Sequence, residues 1–119
     1  MTEYLPKFKP GQTVTFTATA AITGGQLVEV SGDRSVAPAG AASTKVVGVA
    51  GHDAKSSDLV TVHMGGVQHI ASTAAAITAG AAGQAAADGK IGAGTTAPIG
   101  IALNAVPATG GDVQVLMDR

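Results

Sequence analysis

The chain has 119 residues, a formal net charge of −1, 13% charged residues and no cysteine. A near-neutral chain has no electrostatic attraction for nucleic acid or an anionic membrane, and without cysteine it forms neither a disulfide nor a thiol nucleophile. The charged fraction is about half the usual share for a globular domain, which indicates that other protein covers much of the surface.

Residues 1–12 differ in composition from the rest of the chain. They contain two prolines and two of the three aromatic residues, Tyr4 and Phe8. Prolines this close together exclude a regular helix and favour an extended path. We therefore predict an extended N-terminal arm over residues 1–12 and a single β-domain over residues 13–119.

From residue 13 onward the sequence is typical of short β-strands. Thr13–Ala18 alternates threonine with apolar residues, which is the period of two expected of a half-buried strand. Further strand-like segments follow at residues 27–30, 46–50, 59–64, 67–70, 99–102 and 113–117. The glycine pair at positions 65 and 66 predicts that residues 59–70 form a hairpin.

The alanine-rich segment Ser72–Ala82 is the one helix candidate. Its β-branched residues and its glycine disfavour a helix, despite the helical preference of alanine. Short strands with many glycines instead predict an all-β fold, a small β-barrel or sandwich built from two similar halves, with the arm at its N-terminus.

The motif Ala-Ala-Ile-Thr occurs twice, at residues 20–23 and 75–78. Two further pairs of blocks recur in the same order, Val47–Ala50 with Ile99–Ala102 and Asp58–Met64 with Asp112–Met117. The three pairs are separated by 55, 52 and 54 residues, which is expected of a duplication with small loop insertions and deletions. We predict two copies, over about residues 18–70 and 71–117.

Each copy of the motif predicts a corner of the β-scaffold. Ile22 and Ile77 are expected to point inward as apolar anchors. Thr23 and Thr78 would then start a polar turn, and the following glycine, Gly25 or Gly80, would bend the chain into the next element.

No pattern in the chain indicates catalysis or metal binding. The spacings between His52, His63 and His69 match no standard zinc signature. Ser57, Asp58 and His63 include the residue types of a hydrolytic triad, but nothing resembles a nucleophile elbow. We predict that the protein is not an enzyme and that it has no catalytic, metal or cofactor site.

As an ordered set, these motifs resemble the small capsid decoration, or capsid cement, proteins of tailed phages. The resemblance is carried by Ala21–Val28, Val47–Ala50, Val60–Val67, Ala76–Gly80 and Ile99–Ala102, and it extends from about residue 13 to residue 117. One departure is the alanine-rich segment Ala81–Ala86, where such proteins usually carry a bulkier strand.

The resemblance implies a β-rich, non-enzymatic protein that binds the outer face of an assembled phage head and bridges capsomers. Its partner would be the major capsid protein, and by analogy it would form a homotrimer. It would contact neither nucleic acid nor membrane and need no cofactor. The chain start lacks a signal peptide's apolar run, and no stretch reaches the ~18 apolar residues of a membrane helix, so we expect synthesis in the bacterial host cytoplasm.

The arm is the predicted capsid-binding element, because an extended segment can bind by strand addition. The candidate residues are Tyr4, Leu5, Pro6, Lys7, Phe8 and Lys9. Tyr4, Leu5 and Phe8 would be the apolar anchors, since buried aromatic residues dominate interface energetics. The two lysines would face an acidic capsid surface.

Three other functions stay open at this point. A small ligand- or carbohydrate-binding β-module predicts a concave patch lined by aromatic residues. Another virion component, in the tail or a fibre, is compatible with the same sequence features. An enzyme would have to use scattered acidic residues such as Asp53, Asp58 and Asp112.

Overall fold

The computed structural model describes residues 4–5, 7–9 and 11–118. This part of the chain is all-β, which confirms the predicted fold class. The strands are β1 (Val14–Ala18), β2 (Leu27–Gly32), β3 (Ser35–Pro38), β4 (Val46–Ala50), β5 (Leu59–His63), β6 (Val67–Ala71), β7 (Ala82–Ala85), β8 (Ile91–Ala93), β9 (Pro98–Ala102) and β10 (Asp112–Met117). A single 3-10 turn, Ala87–Gly89, lies between β7 and β8.

The first five strands close into a barrel in the order β1-β3-β2-β4-β5, with β5 pairing back onto β1. The β1–β3 pair is parallel, and the other pairs are antiparallel. Alternate residues of β1 point inward, so that Val14, Phe16 and Ala18 are buried in the barrel core. The period of two in the sequence is therefore the period of burial.

The last five strands form a second sheet in the order β6-β10-β9-β7-β8. A parallel bridge between Ser72 and Ile91 joins its two outer strands. When β6 to β10 are matched in turn with β1 to β5, the two strand orders are the same. The registers also match. In the barrel Val30 of β2 faces Val36 of β3, and in the second sheet the equivalent strands β7 and β8 place Ala85 opposite Ile91. The chain therefore consists of two similar halves.

The repeated motif forms the same corner in both halves. Ile22 pairs with Ala54, and Ile77 pairs with Val106, each through an isolated antiparallel bridge. Both bridges are closed by two backbone hydrogen bonds of 2.8 to 3.1 Å. Each isoleucine is 3% exposed, which confirms that they are inward anchors.

A glycine follows each isoleucine at the predicted bend. Gly25 and Gly80 have φ values of +91° and +88°, a region that side chains with a Cβ rarely adopt. The Gly25 N–H donates to the carbonyl oxygen of Ala50, and the Gly80 N–H donates to that of Ala102, at 2.8 and 2.7 Å. The two corners thus share both their backbone conformation and their hydrogen bonds.

The predicted hairpin over residues 59–70 is wrong. Strand β5 pairs with β1 and β4, whereas β6 pairs with β10 in the second sheet. Both sides of β5 are needed to close the barrel, so no side remains for β6. The three residues Met64, Gly65 and Gly66 instead carry the chain from one half to the other.

The strand register also corrects the predicted equivalence of Asp58 and Asp112, the first residues of the third pair of repeated blocks. Thr17 faces Leu59 in the barrel, and Ala71 faces Asp112 in the second sheet, so Asp112 occupies the position of Leu59. Asp58 precedes β5 by one residue. The two aspartates are therefore one residue out of register in the fold.

A carboxylate holds the loop after β3 in the first half. Glu29 Oε1 accepts a hydrogen bond of 2.7 Å from the Gly40 N–H, and Lys45 Nζ lies 3.6 Å from Glu29 Oε2. The hydrogen bond from Gly40 is the main cause that lowers the pKa of Glu29, and the Lys45 charge adds to it. Gln84 occupies the matching position and accepts from the Thr96 and Ala97 N–H groups at 3.2 Å.

The lowered pKa of Glu29 gives a testable pH dependence. A carboxyl group whose pKa is lower in the folded state contributes stability above its unfolded pKa, near 4.5, and loses it as the pH falls through the folded value. We expect the advantage of the wild type over Glu29→Gln, measured by urea unfolding, to shrink between pH 6 and about pH 3. Parallel stability profiles for the two proteins would contradict this assignment.

Candidate functional site

The root of the arm is fixed to the barrel by one arginine. The Arg34 guanidinium carbon lies 5.3 Å from the centre of the Phe8 ring and 5.5 Å from that of the Phe16 ring. Arg34 also donates a hydrogen bond of 2.8 Å to the carbonyl oxygen of Thr15. Cation–π contacts at this distance stabilise a partly exposed site by roughly 0.5–1 kcal/mol each. Phe8 is therefore held against the chain's own barrel.

A tight turn leads from this root into β1. The Gln12 N–H donates to the carbonyl oxygen of Lys9 at 3.1 Å, and the Lys9 N–H donates to Gln12 Oε1 at 2.6 Å. Two reciprocal hydrogen bonds fix the direction in which the chain enters the barrel at Val14. The arm thus leaves the barrel at a defined place.

Beyond the root, two large apolar side chains protrude into solvent. Tyr4 is 77% exposed and Leu5 is 80% exposed, against 40% for Phe8. Lys7 and Lys9 are also exposed. Of the six predicted capsid-binding residues, the structure thus presents four to solvent and packs Phe8 at the root. Pro6 lies outside the described residues.

An open groove of about 470 Å³ runs beside the arm root. It is lined by Phe8, Lys9, Gly11, Gln12, Val14, Met64, Gly65 and Gly66. The groove thus lies between the arm root and the connection between the two halves.

The three histidines make different contacts, although His63 and His69 line one open cleft together. His52 Nε2 accepts a hydrogen bond of 3.2 Å from the Thr61 N–H, whereas His69 Nδ1 lies 3.3 Å from Asp112 Oδ2. Within residues 4–5, 7–9 and 11–118, no group of three or more His, Cys, Asp or Glu side chains is placed to hold a metal ion.

The triad residue types are not arranged as a triad. The Asp58 carboxylate accepts a hydrogen bond of 3.1 Å from the Lys55 N–H in its own loop. The Ser57 N–H donates to the Ala18 carbonyl oxygen at 2.7 Å. Both groups therefore organise the loop before β5.

A cleft of about 400 Å³ separates the two halves on one side of the molecule. Its lining consists of Thr23, Gly24, Gly25, Gln26, His69, Ala71, Asp88, Gly89, Lys90 and Asp112. None of these residues is Phe, Tyr or Trp. The aromatic patch expected of a carbohydrate-binding module is therefore not found in this cleft.

Comparison with known proteins identifies a family for this chain and a solved structure of similar fold. A family model described as a phage cement protein matches residues 8–117. The head fiber gp8.5 N base of bacteriophage phi29 has a similar fold, with a TM-score of 0.72 and 18% identity over 90% of this chain and 93% of that one.

No curated protein matches the sequence. Within the described residues, no helix is long and apolar enough to span a membrane. The family match covers nearly the whole chain, whereas the likeness to the head fiber base shows a shared fold. The chain belongs to the phage cement protein family and is a structural protein of the phage virion.

Proposed function

We propose that this protein binds the outer surface of the phage capsid through its N-terminal arm and bridges neighbouring capsomers. The major capsid protein is the proposed partner. The observation that carries the proposal is the pair Tyr4 and Leu5, which protrude from an arm whose root is fixed at Phe8. Such side chains gain free energy when a partner removes them from water, by about 25 cal/mol per Å² of apolar surface.

The arm also offers two other kinds of contact. Its backbone is in neither a helix nor a strand at the described positions 4, 5, 7 and 8, and this part would pair with a strand of the capsid protein. Lys7 and Lys9 would add attraction to an acidic surface and increase the rate of encounter. Because many copies would act on one shell, moderate contacts at each site are sufficient to stabilise the head.

The family match begins at residue 8, so Tyr4 and Leu5 lie outside the matched region. We propose that the matched part is the scaffold shared with the family and that the tip of the arm adapts it to one particular capsid. We further propose that the role is purely structural, without catalysis, and that the protein acts as a homo-oligomer, a trimer by analogy with other decoration proteins.

Capsid binding should depend on the tip of the arm. We expect Tyr4→Ala combined with Leu5→Ala to weaken binding to undecorated heads by about tenfold or more, and deletion of residues 2–9 to abolish it. Co-sedimentation of purified protein with heads measures this. The double substitution should leave the unfolding temperature nearly unchanged, because both substituted side chains are exposed. The deletion also removes the contact of Phe8 with Arg34, so circular dichroism should verify that the truncated protein keeps its β-sheet fold.

Leu103→Ala is a suitable control, since Leu103 is another exposed leucine at 47% but lies in the second half. It should bind heads like the wild type. Undiminished binding by the deletion variant would refute the role of the arm.

A second candidate is the base of a head fibre, which the shared fold with the head fiber base of phi29 favours. Both candidates place the protein on the head. A reconstruction of the intact particle distinguishes them, because a cement protein would be spread over the shell. Density confined to the tail would contradict both.

A further inference from the structure

Arg34 contacts two of the three aromatic side chains in the chain. Its guanidinium lies over the rings of Phe8, in the arm root, and Phe16, in β1. It also donates a hydrogen bond to the Thr15 carbonyl oxygen of β1. A planar guanidinium can stack on a ring and still donate hydrogen bonds in its own plane. One side chain therefore connects the arm both to the backbone and to a core residue of the barrel.

The second half shows that the strands form without this connection. Between β7 and β8, Gly89 occupies the position that Arg34 occupies between β2 and β3. Both residues have a positive φ, +67° for Gly89 and +49° for Arg34. In β6, Ile70 occupies the position of Phe16 in β1. The equivalent strands of the second half therefore pair with neither an arginine nor an aromatic ring at these positions.

The two equivalent positions have different neighbours. A Cβ atom at Gly89 would lie 2.8 Å from both the Gln26 Cβ and the Leu27 carbonyl oxygen, so the glycine leaves room for the barrel to pack on the second half. At the equivalent position in the first half, Arg34 instead contacts the arm root at Phe8. This position is thus a packing point in both halves. Glycine accepts the barrel in the second half, and arginine accepts the arm in the first.

The backbone conformation at Arg34 suits glycine better than arginine. A residue with a Cβ atom is less stable than glycine at a φ of +49°. Strained positions of this kind are found preferentially at functional sites. Replacing Arg34 by glycine would remove its side-chain contacts without adding backbone strain, so we expect Arg34→Gly to keep the β-fold. The arginine side chain therefore contributes something other than the conformation of the turn.

We propose that Arg34 is the positioning residue of the arm. It holds Phe8 on the barrel, so that the tip with Tyr4 and Leu5 leaves the barrel in a defined direction toward the capsid. A segment whose root is already ordered loses less conformational entropy when it docks, and its affinity is higher than that of a free arm. Arg34 itself does not touch the capsid. This inference rests on the proposed function for its capsid part, whereas the contact between Arg34 and Phe8 can be tested without capsids.

Cleavage by trypsin after the exposed Lys7 measures how firmly the arm root is held in the free protein. A protease binds residues on both sides of the bond that it cuts, so Phe8 must leave Arg34 before cleavage. We expect Arg34→Gly to be cleaved at this bond about fivefold faster than the wild type, because the cation–π contacts are lost. Lys55→Ala, which removes an exposed positive charge from the loop before β5, should be cleaved at the wild-type rate. Equal rates for the wild type and Arg34→Gly would overturn the proposal.

A double-mutant cycle on undecorated heads tests whether Arg34 acts through Phe8. Arg34→Gly and Phe8→Leu, which keeps an apolar side chain without a ring, should each weaken binding about fivefold. The double variant should bind no more weakly than either single variant, because both changes remove the same contact. Losses that add would show that Arg34 contacts the capsid itself, and this would overturn the proposal. Circular dichroism verifies that each variant keeps the β-fold.

The same measurement separates this inference from the proposed function. If Arg34→Gly binds heads like the wild type while Tyr4→Ala combined with Leu5→Ala binds weakly, the arm binds the capsid but Arg34 does not position it. If the tip variant also binds like the wild type, the arm is not the capsid-binding element, and the proposed function fails together with this inference.

Discussion

Gly100→Ala is expected to destabilise the protein by about 3 kcal/mol or more, and Gly48→Ala should have a similar effect. A Cβ atom at Gly100 would lie well inside van der Waals contact of the Leu116 carbonyl oxygen, and one at Gly48 would do the same with that of His63. Backbone atoms of a paired strand cannot move away as a flexible side chain can. The strands would have to separate, and their hydrogen bonds would weaken.

Urea unfolding of the purified variants measures this effect. Gly32→Ala is the matched control, because the nearest atom to a Cβ at Gly32 is the Ser35 Cβ at 3.6 Å, an ordinary contact. The control should stay within about 0.5 kcal/mol of the wild type. If Gly48→Ala and Gly100→Ala were as stable as this control, the close approach of β4 to β5 and of β9 to β10 would be incorrect.

Leu27→Ala is expected to lower the free energy of unfolding by about 3 kcal/mol. Leu27 is fully buried and extends from the barrel into the cluster of the second sheet. Its truncation would leave a cavity between the halves and remove apolar contacts from both. Hydrogen exchange should therefore accelerate in the segment around the 3-10 turn Ala87–Gly89, which contacts the barrel through Gly89, as well as in β2.

The control for this variant is Leu103→Ala, which removes the same atoms from an exposed leucine. Its unfolding free energy should change by less than about 0.5 kcal/mol. Equal losses for the two variants, or protection that changes in β2 alone, would show that Leu27 does not couple the halves.

The pattern of the repeated corners was predictable because its cause is local. An isoleucine followed by a glycine at the bend defines an anchor and a left-handed turn, and both copies fold as expected. Strands β3, β7 and β8 were not predicted. Strand β7 reads Ala-Gly-Gln-Ala, which has little strand preference of its own. It is a strand because β8 and β9 pair with it on both sides.

The sequence predicts the arm as the binding segment. It does not predict that the arm has a root packed on the barrel and a tip exposed to solvent. The sequence indicated an arm with aromatic anchors, yet gave no reason to separate Phe8 from Tyr4 and Leu5. That separation depends on Arg34, which lies in a turn after β2. Closure of the barrel brings Arg34 beside β1, where its carbonyl oxygen accepts the Thr17 N–H at 2.9 Å. Contacts produced by closure have no counterpart in local sequence patterns.

The failed hairpin has the same origin. A glycine pair between two strand-like segments is a strong local signal, and Gly65 and Gly66 do adopt the positive φ values of a tight turn. The long-range pairing of β5 with β1 determines where the following strand goes. The glycine pair therefore predicts the turn correctly. It does not predict the partner of the following strand, because long-range pairing between strands determines that partner.

Closure of the barrel also determines which molecules can pair with the arm. Every strand of the barrel has a neighbour on both sides, and the outer strands of the second sheet have five and three residues. A sheet without long free edges offers no template for a strand from another copy. If the arm adds as a strand, the free edge must come from the capsid protein. If many copies lie side by side on one head, as proposed above, the lack of long free edges protects them from edge-to-edge aggregation.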